Sequence, residues 1–376
     1  MRAAAYLYPW DVDGDPAAAD RVAGLGLDGV SLAAAYHAVR AVTPFHPGHR
    51  IVTRDAAVYY RADPARWSGA ALRPAAAEPA GSFERAAERL RAAGLGVTAW
   101  VVLTHNSRLA AAEPACAVRN AFGDEYPWAL CAGSAPVREY AARLAAEVAA
   151  LAGVDGVELE ACGWYGFEHG SAHDKTGDVA SLAGAAGEWL LSLCFCAGCR
   201  DAYQAAGADP DKLAAQIRAA ADGGPALPGD SAGLLASTRA AAARRLLGDV
   251  TAAVRAAAPG KPVLLHTDPD PRAAGSNPGY DLTAACGPGG VDGVVLACGD
   301  RARAVSLVTA ATAAVPAGTA VIAVLQAVAG LGGDPGSLPA QAAAVRAAGA
   351  TELRFYHAGL ATASDLAAIR ALRQAG

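Results

Sequence analysis

The stretch VDGVELEACGWYGFEHG, residues 154–170, decides how this chain is read. Its first half alternates, with Val157 and Leu159 apolar and Glu158 and Glu160 charged. Alternate side chains of a strand share a face, so both carboxylates point one way and both aliphatic groups the other. A strand edge open to water accounts for that pattern, and so does an active site. The same half recurs as LDGVSLAAAY at residues 27–36 and VDGVVLACGD at residues 291–300. The shared D-G-V-x-L-x aligns Ser31, Glu158 and Val295, and two residues on it aligns Ala33, Glu160 and Ala297.

Outward from these three segments, five more short apolar runs read as strands: AAAYLYPW, VTAWVVLTHN, PVLLHTDPDP, AVIAVLQAV and ELRFYHAGL. Loops or amphipathic helical stretches follow each, which is the alternation of a parallel α/β fold. Eight strands result, and the repeated pattern falls on the second, fourth and sixth. Alternate strands of a (β/α)8 barrel fill the same interior layer, so a recurrence on even strands is what closure by eight produces. We therefore expect an α/β fold, a (β/α)8 TIM barrel, as a single domain over residues 1–376. An open doubly wound sheet is the main rival, and a common turn into buried strands is the plainer account of D-G-V. Long inserts are expected after strands 2 and 4, at about residues 37–81 and 164–230, on the face where barrel active sites are built. Helices are clearest at SFERAAERLRAAG, with Ser82 as N-cap and Gly94 as stop, and at APVREYAARLAAEVAALAG.

The 376 residues are 53% hydrophobic and 18% charged, ample material for one large core. A net charge of −5 without blocks of one sign offers no footprint for nucleic acid or an anionic membrane. Asp11, Asp13 and Asp15 interrupt the N-terminal stretch where a signal peptide needs an apolar run. The alanine-rich stretches carry Arg every few residues, unlike a membrane span. A cytoplasmic protein is expected, and association into a homo-oligomer stays open.

Eight cysteines in such a chain read as thiols or metal ligands more readily than as disulfides. Cys194, Cys196 and Cys199 form C-x-C-x-x-C, a spacing that lets three thiolates converge on one tetrahedral ion. Cys131, Cys116 and Cys162 compete for the fourth position, and buried thiols packing as small apolar groups are the simpler alternative. Cys286 and Cys298 have no partner spacing and read as core.

In the barrel reading Glu158 and Glu160 both face the axis, with Glu160 nearer the mouth. Two like charges there are costly without partners or a purpose, and Arg354 or His266 would neutralise the deeper Glu158. A glycosidase sets two carboxyl groups across the scissile bond. Glu160 is the candidate general acid, Glu158 a lesser catalytic candidate, and Asp268 or Asp270 of LLHTDPDP the partner. A turn capped by aspartate side chains explains Asp-Pro-Asp-Pro as well. Candidate sugar-binding residues gather at predicted strand ends: His37 and Arg40; His105 and Asn106; Trp164, Tyr165, Glu168 and His169; His266; Asp300; Tyr356 and His357. His173 and Asp174 extend the third group, and His46 and His49 the first.

From its first strand to its last the chain resembles an uncharacterised (β/α)8 glycoside-hydrolase-like family. The resemblance is carried by SLAAAYHAVRAVTPFHPGHR, NAFGDEYPWALCAGSAPVREY and DGVELEACGWYGFEHG. The cysteine cluster is similar to that of the zinc-carrying β-galactosidases of the large (β/α)8 glycoside hydrolase group, with the fourth cysteine in a segment resembling LCAGSAPVREY. The resemblance implies a glycosidase, acting on a small sugar or glycoconjugate, with a structural Zn2+ on Cys131, Cys194, Cys196 and Cys199. Four sulfur ligands leave no open position, so such an ion pins an insert and does no chemistry.

Those β-galactosidases end strand four on Asn-Glu, where this chain has ELEACG, and take their nucleophile from a glutamate on strand seven, where VIAVLQAV offers Gln326. Their catalytic pair does not carry over. Two other readings follow: a metal-dependent sugar isomerase or epimerase using Glu158, Glu160, Asp268 and His266 as ligands, and a carbohydrate-binding pseudoenzyme.

Overall fold

The computed structural model describes residues 1–169, 175–176 and 186–375. All eight apolar runs form strands: β1 (Arg2–Leu7), β2 (Gly29–Tyr36), β3 (Gly96–Val102), β4 (Gly156–Glu160), β5 (Val263–His266), β6 (Gly293–Ala297), β7 (Ala320–Gln326) and β8 (Glu352–Tyr356). Each pairs in parallel with the next, and β1 pairs with β8 from Arg2↔Glu352 to Ala5↔Phe355, so the sheet closes and the open-sheet rival falls. Helices outside and side chains inside bury the strands on both faces, which explains their Ala, Val and Leu content.

The D-G-V repeat marks the foot of the barrel. Asp28, Asp155 and Asp292 each precede an even strand and accept the first free N–H of the odd strand before it, from Ala3 (2.8 Å), Val97 (2.8 Å) and Val263 (2.7 Å). Their own N–H groups return bonds to the same three residues at 2.9, 2.8 and 2.8 Å. Each aspartate also meets an arginine near the end of a helix: Asp28 meets Arg373 of the last helix, Ala363–Ala375 (3.2 Å), Asp155 meets Arg91 (2.7 Å) and Asp292 meets Arg255 (2.8 Å). Before β8 the role falls to Thr351, whose Oγ1 accepts from Val321 N–H at 2.9 Å with no arginine recorded beside it. The glycine that follows the aspartate is required by close approach. A Cβ on Gly29 would lie 2.7 Å from the Gly96 carbonyl oxygen, and one on Gly156 2.8 Å from that of Pro262.

The plainer reading of D-G-V, a shared entry into buried strands, and the barrel reading are thus both correct. Four quarters of the barrel meet one geometric problem and answer it almost identically.

After β2 the chain forms a hairpin of Val39–Val42 and Ile51–Arg54, with His46 and His49 stacked 3.6 Å apart in its turn, then lays Ala57–Val58 antiparallel on β2. Glu147 of the helix Ala135–Ala149 anchors this insert, accepting from Tyr60 Oη (2.6 Å), Trp67 Nε1 (2.7 Å) and Asp63 N (2.6 Å). The helix expected to be capped by Ser82 instead begins with Ser82, and Gly81 is its cap in the left-handed region (φ 78°). The Ser82 hydroxyl is drawn off to the Tyr59 carbonyl at 3.4 Å.

After β4 come the helices Gly187–Leu191, Ala197–Ala205 and Pro210–Ala221, then the long helix Gly229–Ala257, which packs along Ala135–Ala149. Among the described residues no helix is long and apolar enough to cross a membrane. His173 and Asp174 lie outside the described residues.

Candidate functional site

The pleat of β4 sends Glu158 and Glu160 inward, and the even strands complete their layer. Ser31 Oγ donates to Glu158 at 2.6 Å, Arg354 Nε lies 3.5 Å away, and Val295 fills the fourth side from an apolar cluster with Leu264 and Ile322. From the odd strands Tyr6 donates its phenol to Glu158, and His266 Nε2 stands 2.7 Å from Oε1. Glu158 has no exposed surface. Burial alone would raise its pKa, but the hydrogen bond and charge of His266, the charge of Arg354 and the Ser31 hydroxyl bring it down to about 2. Burial pulls His266 the other way, and Glu158 more than reverses that, so its pKa is raised. Glu158 is therefore a fully partnered anion.

Glu160 is different. One residue pair higher, its Oε2 accepts a 2.6 Å hydrogen bond from Trp100 Nε1, the one protein donor recorded for it among the described residues. Burial raises its pKa, the charge of Glu158 adds to that, and His266 and Trp100 oppose without cancelling it. The carboxyl opens on a cavity of about 230 Å³ at the C-terminal mouth of the barrel. Tyr6, Trp100, His266, Val324 and Gln326 come from odd strands, Tyr36, Glu160, Ala297 and Tyr356 from even ones, and Asn277 and Gly299 complete the rim. Aromatic edges brace the acid: Trp100 packs edge-on against Tyr6 (4.8 Å) and Tyr36 (4.6 Å).

Of the proposed binding residues, the cavity brings together His266 and Tyr356 with Glu160. A second group forms an aromatic column beside it: His37 stacks between Tyr36 and His105 at 4.1 Å each, Tyr165 leans on His105 (4.4 Å), and His169 stacks on Trp128 (4.9 Å). Burial drops the pKa of His37 to about 4 and of His105 to about 2, so both are neutral at pH 7.

The others do not line this cavity. Asn106 caps the helix Ser107–Ala112 by accepting from Leu109 N–H, and Asp300 caps Arg301–Ala314 through Ala302 N–H. Trp164 donates to the Arg239 carbonyl at 2.7 Å beneath the Arg239 guanidinium. Arg40 is exposed on the hairpin, and Glu168 is exposed beside Gly275. His357 is fully buried against Tyr8 (4.3 Å), with burial holding its pKa at about 3.

Asp268 and Asp270 are not among the residues lining the cavity with Glu160. Asp268 accepts from Asp270 N–H (2.8 Å) and pairs with Arg303 (3.4 Å), while Asp270 accepts from Arg272 N–H (2.9 Å). The aspartates cap their own turn, the behaviour Asp-Pro sequences favour.

Cys131, Cys194, Cys196 and Cys199 converge, with all four Sγ atoms buried and within 4.8 Å of one another. Backbone N–H groups of Gly133 (3.3 Å), Arg119 (3.5 Å) and Cys196 (3.4 Å) point at the sulfurs, as they do at thiolates in a closed metal site. The two competitors stay out: Cys116 bonds with Ser134, and Cys162 is buried alone with its pKa pushed up to about 12. Cys298 is buried and Cys286 partly so, as core residues should be.

Sequence reasoning missed Tyr6, Tyr36, Trp100 and Asn277. The first and third carried a signal, since each is the large residue at an inward position of its strand; Asn277 carried none.

No family model matches the chain, and no curated protein sequence does either. Solved structures do. The glycoside hydrolase domain of PgaB (BpsB) from Bordetella bronchiseptica superposes with TM-score 0.62 at 19% identity, over 99% of each chain. The α-L-fucosidase isoenzyme 2 from Paenibacillus thiaminolyticus gives 0.62 at 14% over 100% of this chain, which spans 49% of the fucosidase. A β-galactosidase from Bacillus circulans sp. alkalophilus gives 0.57 at 12%, over 100% and 55%. The chain is therefore a (β/α)8 barrel of the form found in glycoside hydrolases. At these identities the likeness is one of fold.

Proposed function

We propose that the protein is a glycoside hydrolase, with Glu160 as general acid at the mouth of β4. The observation that carries this reading is the contrast within one strand: Glu158 is held as an anion by four partners, whereas Glu160 keeps a raised pKa on the wall of a cavity the size of a single sugar. A carboxyl whose raised pKa lets it keep a proton to higher pH than an ordinary glutamate is what glycosidic bond cleavage asks for. Tyr356, the partly exposed ring of the lining, offers a face for a pyranose, with the buried rings of Tyr6 and Trp100 packed against it.

The fixed anion Glu158 positions Tyr6, and Tyr6 backs the Trp100 ring that holds Glu160. Cys131, Cys194, Cys196 and Cys199 would hold Zn2+, whose contribution is to tie the insert after β4 to the segment before the helix Ala135–Ala149. Metal analysis should find one zinc per chain, and a Cys196→Ser variant should lose it.

The test is the pH dependence of glycoside hydrolysis. Activity should fall as pH rises through the Glu160 pKa, which burial and Glu158 raise above its ordinary value. Trp100→Phe removes a bond that lowers that pKa and should move the alkaline limb to higher pH, while Glu160→Gln abolishes it. A limb that ignores both variants would refute the assignment.

Carbohydrate binding without turnover is the second reading, favoured by the engagement of Asp268 in its own turn and with Arg303. It requires Glu160→Gln to bind saccharide as well as the parent does, with neither turning it over. The isomerase reading draws less support, because Glu158 and Asp268 are already satisfied by protein partners.

A further inference from the structure

We propose that the cavity takes a 2-acetamido sugar and that the sugar's own acetamido oxygen, not a second carboxylate, is the nucleophile. The proposal rests on the hydrolase reading of Glu160 and names its substrate class. Among the described lining residues Glu160 is the one carboxylate. The phenols are no substitute: burial raises the pKa of Tyr6, Tyr36 and Tyr356, leaving them as neutral donors. His266, the one imidazole of the lining, has its Nε2 engaged by Glu158 at 2.7 Å and its proton held there by that carboxylate. If Glu160 gives the proton, the group that attacks the anomeric carbon therefore arrives with the substrate.

The wall formed by β6, β7 and the loop after β5 says what arrives. Asn277 and Gln326 place two carboxamides in the lining, and the oxygen of each is buried with no hydrogen-bond partner. Such a group costs roughly 1–3 kcal/mol while it stays unpaired. Neither side chain makes a recorded hydrogen bond to any described residue, so a ligand can set which end of each amide faces it. Beside them Ala297, Gly299 and Val324 are small, and a Cβ added at Gly299 would sit in ordinary contact, 3.6 Å, with the Gln326 Cβ.

An acetamido group supplies the matching set of one N–H, one C=O and one methyl. Ala297 stands on β6 where Glu160 stands on β4, so space for the group exists because the interior residues of β6 are small. Gln326 has the size of a glutamate but cannot attack; it can recognise.

The steps balance. Glu160 gives its proton to the glycosidic oxygen as the C1–O bond breaks, and the acetamido carbonyl oxygen bonds to C1, closing a five-membered oxazolinium ring. Water then attacks C1 while the Glu160 carboxylate takes its proton, the ring C1–O bond breaks, and both acetamido group and acid are restored. One water is consumed per bond cleaved. Attack from the face opposite the leaving group requires acetamido and aglycone to be trans, as in β-gluco or β-galacto 2-acetamido glycosides, and two displacements give retention.

The test is turnover of 4-nitrophenyl glycosides by the intact protein, comparing 2-acetamido β-glucoside and β-galactoside with the 2-hydroxy β-glucoside, β-galactoside and α-fucoside. The expected result is a preference for the 2-acetamido pair of about 100-fold or more in kcat/KM. Comparable turnover of the 2-hydroxy sugars overturns this proposal and leaves the hydrolase reading standing. No turnover of any member overturns both.

A thiazoline analogue of the cyclised sugar should inhibit at least about 100-fold more tightly than the free 2-acetamido sugar, and equal inhibition also overturns the proposal. Asn277→Ala and Gln326→Ala, each with an unchanged melting temperature, should lose about tenfold in kcat/KM on the acetamido substrate. Retained selectivity in both would overturn the role of the Asn277 and Gln326 wall.

Discussion

The two ends of β4 solve opposite problems five residues apart. At the foot, Asp155 bonds to Val97 N–H and Arg91, and equivalent aspartates do the same at two other quarters. At the mouth, Glu160 has one donor among the described residues, a raised pKa and no counterpart on β2 and β6, where Ala33 and Ala297 occupy its position. Glu158 lies between and is satisfied on every side. A carboxylate repeated and fully paired is serving closure of the barrel; a carboxylate that occurs once and is underpaired is where chemistry is to be sought.

The contrast can be broken experimentally. Its largest expected effect is at the mouth: Glu160→Gln should cost 10²–10⁴-fold, an order-of-magnitude range, in kcat on a substrate with a poor leaving group while leaving the melting temperature unchanged. Loss of stability without loss of rate would reverse the assignment.

Next comes the middle layer. Glu158→Ala leaves Arg354 and His266 buried without their anion and should destabilise the fold by about 3–5 kcal/mol in chemical denaturation. The pH dependence has a definite sign. Glu158 has a depressed pKa, so its contribution is present above the ordinary carboxylate range and is lost as pH falls toward about 2. His266 has a raised pKa, so its contribution is full below about 6.5, its unfolded value, and is lost as pH rises through the higher folded one. The parent protein should be most stable between those limits, and a Glu158→Gln variant should show a flatter curve.

At the foot the effects shrink. Asp155→Ala should cost about 1–2 kcal/mol, mostly for the Val97 N–H left without its acceptor, because an ion pair as exposed as Arg91–Asp155 adds little. Thr351→Asp, which copies the other three quarters without an arginine to meet it, should change stability by less than about 0.5 kcal/mol. A large loss there would mean that the fourth quarter is built differently after all.

The fold was legible because its signals are local and repeated. Strand parity gave the inward faces of β4, and the recurrence on even strands gave closure. The cysteine site was legible in part: C-x-C-x-x-C supplied three ligands by spacing, but Cys131 comes from a separate segment and needed the resemblance. The second half of the candidate site was hidden for a physical reason. Whether Asp268 faces a cavity or its own turn depends on Arg303, 35 residues away, and on the loop that returns through Gly279. Asn277 sits in that same returning loop, where no periodicity applies. Ser82 shows the limit at smaller scale, since the Tyr59 carbonyl, 23 residues distant, competed for its hydroxyl.

The foot also ranks the seams of the ring. Each aspartate or threonine locks an odd strand to the even strand after it, whereas the arginines tie each quarter to its predecessor, and they do so at three of the four joints. The joint between β6 and β7 has no such tie recorded among the described residues, and the same two strands carry Ala297, Val324 and Gln326 of the cavity wall. That joint relies on its backbone ladder, Gly293↔Ala320 to Ala297↔Val324, so the one seam without an arginine clasp at its foot is also the wall against which a ligand would rest.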